Sequence, residues 1–316
     1  MTEVKHRVKV AVDAMGGDFA PEEIVKGAVM AAKANDINIT LVGAPDVIEA
    51  ELSKYDTTGL PIGCVPAEEV IIETENPAMA VRRKPNASIS VAIKMVKNGE
   101  ADCMISAGPT GAIATSAITY LGMIEGIDRP VIGGAIFDDI PDMVVFDCGV
   151  NMDCKPYHLL TFAVIGSAFC KKLLKIDNPT VGLLNIGAEE TKGNELTRAT
   201  HKLLKQDDIN FVGNVEGFQL MQKKANVIVC DAFVGNVLFK FVESIGLFND
   251  RPSLEGNNKG GGLILGVNGI VRKMHGFSKA PHVEETIYQV RDAVNADLIG
   301  AIRADLKTTL QKVYNK

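Results

Sequence analysis

The sequence predicts an α/β protein built on a mostly parallel sheet. Short runs rich in Val and Ile alternate with longer segments of helical periodicity, and glycine with Asp, Asn, Ser or Thr marks the points where a run gives way to a helix. Composition agrees. A chain of 316 residues with 47% hydrophobic residues and 30 Gly can bury a large core and has neither a disordered nor a collagen-like make-up.

RVKVAVD (7–13) is the first strand. Pro21 then opens a helix with Glu22 and Glu23 in its first turn and Ile24, Val25, Ala28, Val29 and Ala32 on one face. INITLVG (37–43) is the next strand, and a weak change of composition between about 60 and 85 suggests an excursion from the rhythm without setting a boundary. A helix follows at 87–99, a strand at 101–108, a helix at 110–122, and strands at 130–137 and 143–150. The alternation continues with a helix at 157–175, a strand at 180–187, a helix at 194–206, a strand at 209–214, a helix at 216–224 and a strand at 225–231. The apolar segment 233–248 leads into polar, Gly-rich NDRPSLEGNNKGGG, a flexible loop near 247–262, before LILGVNGIV at 263–271. No internal repeat is visible, and residues 1–316 are read as a single domain.

A net charge of −6 excludes nucleic acid as an expected partner, because phosphate-backbone binding needs a concentrated basic surface. The cysteines at 64, 103, 148, 154, 170 and 230 form no C-x-x-C pair and suit reduced, mostly buried positions. MTEVKHRVKVAVD shows no secretory h-region, and the longest apolar stretch, 159–169, is too short for a bilayer span of about 20 residues. The expectation is a cytoplasmic protein whose membrane role, if any, is peripheral.

In a parallel sheet the chemistry gathers where strands end and helices begin. At the first such junction stand Asp13, Gly16 and Gly17; at SAGPTGA (106–112) stand Ser106, Gly108, Thr110 and Gly111, where a helix start offers unpaired N–H groups to a phosphate and a plain tight turn is the competing reading. Lys192, in GAEETKG, is the cation suited to a phosphate, although the order differs from a P-loop and no G-x-G-x-x-G follows a strand. Asn185, Asn194, Asn214, Asn236 and Asn268 are amide donors for an oxyanion or, equally, turn and cap residues. His275, beside Gly276 and Ser278, suits a general acid or base or a structural role, whereas His6 and His201 read as surface residues. Asp13, Asp18, Asp147 and Asp231 are expected to cap rather than to hold a cation, so neither metal nor cofactor is expected. Nothing suggests a covalent Ser or Cys nucleophile.

Several long motifs, VAVDAMGGDFAPEEIVKGA, VRRKPNASISVAIKMVKNGEADCMISAGPTGA, VNMDCKPYHLLTFAVIGSAF, VGLLNIGAEETKGNEL and GVNGIVRKMHGFS, together resemble the PlsX family of bacterial phosphate acyltransferases almost end to end. The resemblance implies transfer of a fatty acyl group from acyl-carrier protein to inorganic phosphate for phospholipid synthesis. It also implies a three-layer α/β/α fold related to isocitrate and isopropylmalate dehydrogenases and to phosphotransacetylases. It further implies a cytoplasmic homodimer that docks on the inner membrane surface beside the downstream glycerol-3-phosphate acyltransferase. Three features depart from the family pattern: Pro109 replaces an Asn and removes a backbone N–H, Ala188 replaces a Glu, and the lysine-rich amphipathic stretch before GGLILGVNG is short.

On this reading Lys192, Thr110 and the N–H groups from Gly108 to Gly111 bind phosphate, Asn185 and Asn236 support the tetrahedral oxyanion, and His275 is optional because a thiol leaves readily. Arg82, Arg83 and Lys84, or Lys171, Lys172 and Lys175, are candidate contacts for the acidic carrier. Val237, Leu238, Phe241, Ile245 and Phe248 form an apolar stripe for the acyl chain, lipid, core or a dimer seam. The alternatives are a phosphotransacetylase-like enzyme using short acyl-CoA donors, a non-catalytic anion- or lipid-binding scaffold, and, least favoured, a dehydrogenase.

Overall fold

The computed structural model describes residues 7–34, 36–135, 141–248 and 261–314. The chain divides into two compact units, Met1–Gly122 with Val267–Asn295 and Met123–Gly266 with Ala296–Lys316.

In the first unit β1 (Val8–Asp13), β2 (Ile37–Gly43), β3 (Ile62–Pro66), β4 (Cys103–Ser106) and β11 (Ile270–Lys273) lie in the order β3-β2-β1-β4-β11. Every pairing among them is parallel. VKVAVD is buried at all but one position, as a parallel strand covered on both faces must be. The helices are α1 (Glu22–Ala32), α2 (Pro45–Leu52), α3 (Pro77–Arg83), α4 (Ser88–Asn98), α5 (Thr110–Leu121) and α10 (Ala280–Asn295). The expected excursion at 60–85 holds β3, an edge strand on β2, and the short α3. Helix α10, absent from the sequence reading, buries Val283, Thr286, Ile287, Val290 and Ala293, a stripe with helical spacing.

In the second unit β5 (Val131–Gly134), β6 (Val144–Phe146), β7 (Val181–Leu184), β8 (Phe211–Val215), β9 (Val227–Val229) and β10 (Gly262–Leu265) lie in the order β10-β5-β6-β9-β7-β8. Strand β5 is antiparallel to both neighbours, and the others are parallel. The sheet is therefore mixed but mostly parallel. Helix α6 (Pro156–Phe169) is apolar around its circumference and almost wholly buried, so it forms the middle of this unit's core, with the Phe146 ring edge-on to Phe169 at 6.0 Å. A π-helical turn, Cys170–Leu174, ends it. The remaining helices are α7 (Glu195–Lys205), α8 (Gly217–Leu220), α9 (Ala232–Phe248) and α11 (Leu298–Tyr314).

The run LILGVNGIV holds two strands. A turn at Gly266–Gly269, closed by the Gly269 N–H on the Val267 carbonyl at 2.9 Å, separates β10 from β11, and apolar periodicity carries straight across it. The loop expected near 247–262 falls mostly on residues 249–260, which lie outside the described residues.

Candidate functional site

The first unit's turns are drawn together by one buried carboxylate. Asp13, at the end of β1, has no exposed surface; its Oδ2 accepts the Ser106 hydroxyl at 2.6 Å and its Oδ1 the Met15 N–H at 3.2 Å. Burial raises its pKa, against the lowering effect of those hydrogen bonds. A Cβ at Gly16 would stand 2.6 Å from Asp13 Oδ2 and 2.7 Å from the Gly108 nitrogen, so only glycine lets these segments touch. Gly17 closes on Ala107 and Gly276 in the same way.

The Gly108 N–H donates inward to Ser106 Oγ at 3.0 Å, and Pro109 has none, so the N–H groups that α5 turns outward begin at Thr110 and Gly111. His275 follows Met274, whose N–H reaches the Ser106 carbonyl at 2.8 Å, and its ring stacks on Phe277 at 4.9 Å. Lys273 Nζ donates to the Ala107 carbonyl at 3.3 Å, a neighbour of this turn that the sequence reading overlooked. Asn268 is not brought here: its amide donates to the Leu121 carbonyl, at the opposite end of α5 and about 17 Å along it from Thr110.

In the second unit the turn after β7 carries Lys192. Its N–H donates to the Glu189 carbonyl at 3.0 Å, and Asn185 Nδ2 donates to its carbonyl at 3.2 Å. Gly193, at φ +94°, has no room for a Cβ, which would stand 2.0 Å from Thr197 Oγ1 and 2.5 Å from Asn185 Oδ1. Asn194 caps α7 by accepting the Thr197 N–H at 2.9 Å. Asn214 is buried on β8 and bonded to His201 and to the Glu189 carbonyl. His201, read from sequence as a surface residue, is only 5% exposed, because it shares the inward face of α7 with Thr200 and Leu204. His6 lies outside the described residues.

Beside this turn is a cavity of about 610 Å³. One side is Asn185, Ile186, Gly193, Asn194 and Thr197; the other is α9, through Phe233, Val234, Val237, Leu238 and Phe241. Phe233, Val237 and Phe241 recur every four residues on one helix face and are 66, 56 and 61% exposed. Sequence periodicity found Val237, Leu238 and Phe241 and missed Phe233, Val234 and Ile186; the side chains of Ile245 and Phe248 lie outside the described residues.

Asp231 accepts the Val234 N–H at 3.0 Å as a cap of α9. Asp147 accepts the N–H groups of Gly149, Val150 and Asn151 and the Asn151 amide, which fixes the loop beneath Asn236; the Asn236 amide oxygen would lie 3.5 Å from a Cβ at Gly149. Burial raises the Asp147 pKa. Desolvation likewise pushes Cys154 and Cys170 up to about 12, so neither is a thiolate at neutral pH. Of the basic clusters, Lys84 is engaged by Glu75 at 2.7 Å and Lys171 by Asp305 at 3.0 Å, whereas Arg82 and Arg83 are exposed. Among the described residues no cluster of His, Cys, Asp or Glu could hold a metal ion.

A family model described as "Fatty acid synthesis protein" matches residues 8–251. The chain belongs to this family. Among similar members, the phosphate acyltransferase of Pelotomaculum thermopropionicum is 44% identical over 95% of this chain and 96% of its own length. That of Synechococcus elongatus is 45% identical over 89% of each. Solved structures share the fold at low identity: a phosphotransacetylase from Streptococcus pyogenes (TM-score 0.65, 17% identity, 92% of this chain and 94% of that one), and a 4-hydroxythreonine-4-phosphate dehydrogenase from Burkholderia phymatum (0.52, 13%, 94% and 98%). Within the fatty acid synthesis protein family, then, this member carries its Lys192 turn against an apolar groove.

Proposed function

We propose that this protein is a phosphate acyltransferase that moves a long-chain fatty acyl group from acyl-carrier protein to inorganic phosphate. The observation that carries the reading is the apolar groove along α9 running up to Asn185 and the Lys192 turn, which puts room for a hydrocarbon chain beside groups suited to an anion. The family description and the relatives' name, phosphate acyltransferase, support acyl transfer to phosphate.

A phosphate oxygen attacks the thioester carbonyl carbon; the C–O bond forms, the C–S bond breaks, and its electron pair leaves on the carrier's sulfur as a thiolate that takes a proton from solvent. Lys192 holds the phosphate by charge. Asn185 and Asn236 are assigned to the oxyanion, where one donor commonly contributes ~3 kcal/mol. A thiol of pKa about 8.5 leaves without an acid, so His275 is given no necessary step. Within the first unit, the outward N–H groups of Thr110 and Gly111 are proposed to bind an anion in their own right. Arg82 and Arg83 are proposed contacts for the carrier, and the exposed apolar residues of α9 suit a second copy of the chain or the membrane surface near the downstream acyltransferase.

A series of carrier-linked donors from two to eighteen carbons tests the reading. The expected result is kcat/KM rising at least tenfold with chain length; equal efficiency for acetyl and palmitoyl donors would favour a short-chain phosphotransacetylase, and no turnover with any donor would favour a binding scaffold.

A further inference from the structure

We infer that His201 is a positioning residue for the Lys192 turn, acting through Asn214 and the carbonyl of Glu189. The inference rests on the reading of Lys192 as the phosphate-holding cation. His201 packs inside the second unit, its ring edge-on to Phe211 at 5.0 Å, and its Nδ1 lies 2.9 Å from Asn214 Oδ1. The other end of the same amide, Nδ2, donates to the Glu189 carbonyl at 2.8 Å. A carbonyl only accepts, so this contact fixes which end of the amide is the nitrogen, and it follows that Nδ1 of His201 carries the proton. The Glu189 carbonyl also accepts the Lys192 N–H at 3.0 Å. One acceptor is thus pinned from inside by β8 and holds the turn from outside.

The relay is indifferent to His201 protonation. Nδ1 donates in the neutral ring and in the cation alike; a second proton on Nε2 would face Glu190, whose carboxylate lies 3.7 Å away and is paired with Lys205 at 2.5 Å. What His201 supplies is a fixed Asn214 rotamer. Asn214 is 1% exposed, so without that donor its Oδ1 is buried and unsatisfied, and the amide gains by turning its oxygen elsewhere, which removes Nδ2 from Glu189. Lys224 holds the backbone of Asn214 through its carbonyl at 3.0 Å, so strand β8 itself stays in place.

The test compares His201→Phe, which keeps a ring against Phe211 and loses the donor, with His201→Asn, whose Nδ2 stands where Nδ1 stood, and with Lys192→Ala. Phosphate KM, donor KM and amide hydrogen exchange across 186–193 are measured on the full chain. His201→Phe is expected to raise phosphate KM about tenfold with donor KM unchanged and to speed exchange at Lys192. His201→Asn is expected to restore both within threefold, and His201→Phe combined with Lys192→Ala should raise KM no further than Lys192→Ala alone. Unchanged exchange at Lys192 in His201→Phe, faster exchange over the whole chain, or no rescue by Asn would overturn the relay. Should Lys192→Ala itself leave phosphate KM unchanged, the Lys192 reading fails, while the exchange data still decide the relay.

Discussion

Asp13 costs the native state something at neutral pH. The unfolded carboxyl titrates near ~3.9 and the folded one higher, so the native state binds that proton more tightly, and the associated stability is full below the unfolded value and is lost as pH rises through the folded one. Asp13→Asn, which keeps an acceptor for Ser106, should gain on the parent as pH rises from about 4 and then plateau; urea midpoints of both proteins across pH 4–8 check this, and a constant gap would contradict it. Gly193→Ala should destabilise by more than ~1 kcal/mol, since it meets both an unfavourable φ and the Thr197 hydroxyl, as thermal unfolding would report. Lys192→Ala should raise phosphate KM at least tenfold, from the loss of a charge-assisted contact worth ~1.5–3 kcal/mol. At this scale, glycine and hydroxyl at strand ends were legible from sequence because each signals a local backbone need. The inward Gly108 N–H and the burial of His201 were not, because the first depends on a Ser106 hydroxyl held by the distant Asp13 and the second on which face of α7 turns in.

Helix α9 displays its groove-facing residues every four positions, and a charge there should act on the acyl chain rather than on phosphate. Phe241→Asp is expected to lower kcat/KM for a palmitoyl donor at least tenfold while leaving the phosphate KM and a short-chain donor within threefold; an equal loss for both donors would place Phe241 outside the acyl path. The element order was mostly readable, since Val- and Ile-rich runs and amphipathic segments report their own periods. The antiparallel direction of β5 was not, because pairing direction is set by tertiary contacts.

At the scale of the molecule, no helix among the described residues is long and apolar enough to cross a membrane, and the most exposed large apolar side chains described, Ile186, Phe218, Met221, Phe233, Val237 and Phe241, lie on the second unit. A chain with a net charge of −6 that meets an acidic carrier must do so through a local basic surface, so carrier KM should rise with ionic strength while phosphate KM at the Lys192 turn changes less. The most direct test of the central claim is incubation of the purified protein with palmitoyl-acyl-carrier protein and radiolabelled phosphate, with acyl phosphate trapped by hydroxylamine and an acetyl-CoA donor run alongside. Label entering palmitoyl phosphate, with stoichiometric free carrier thiol and little product from acetyl-CoA, is the predicted result; folded protein that releases thiol without forming acyl phosphate, or that forms neither, would contradict it.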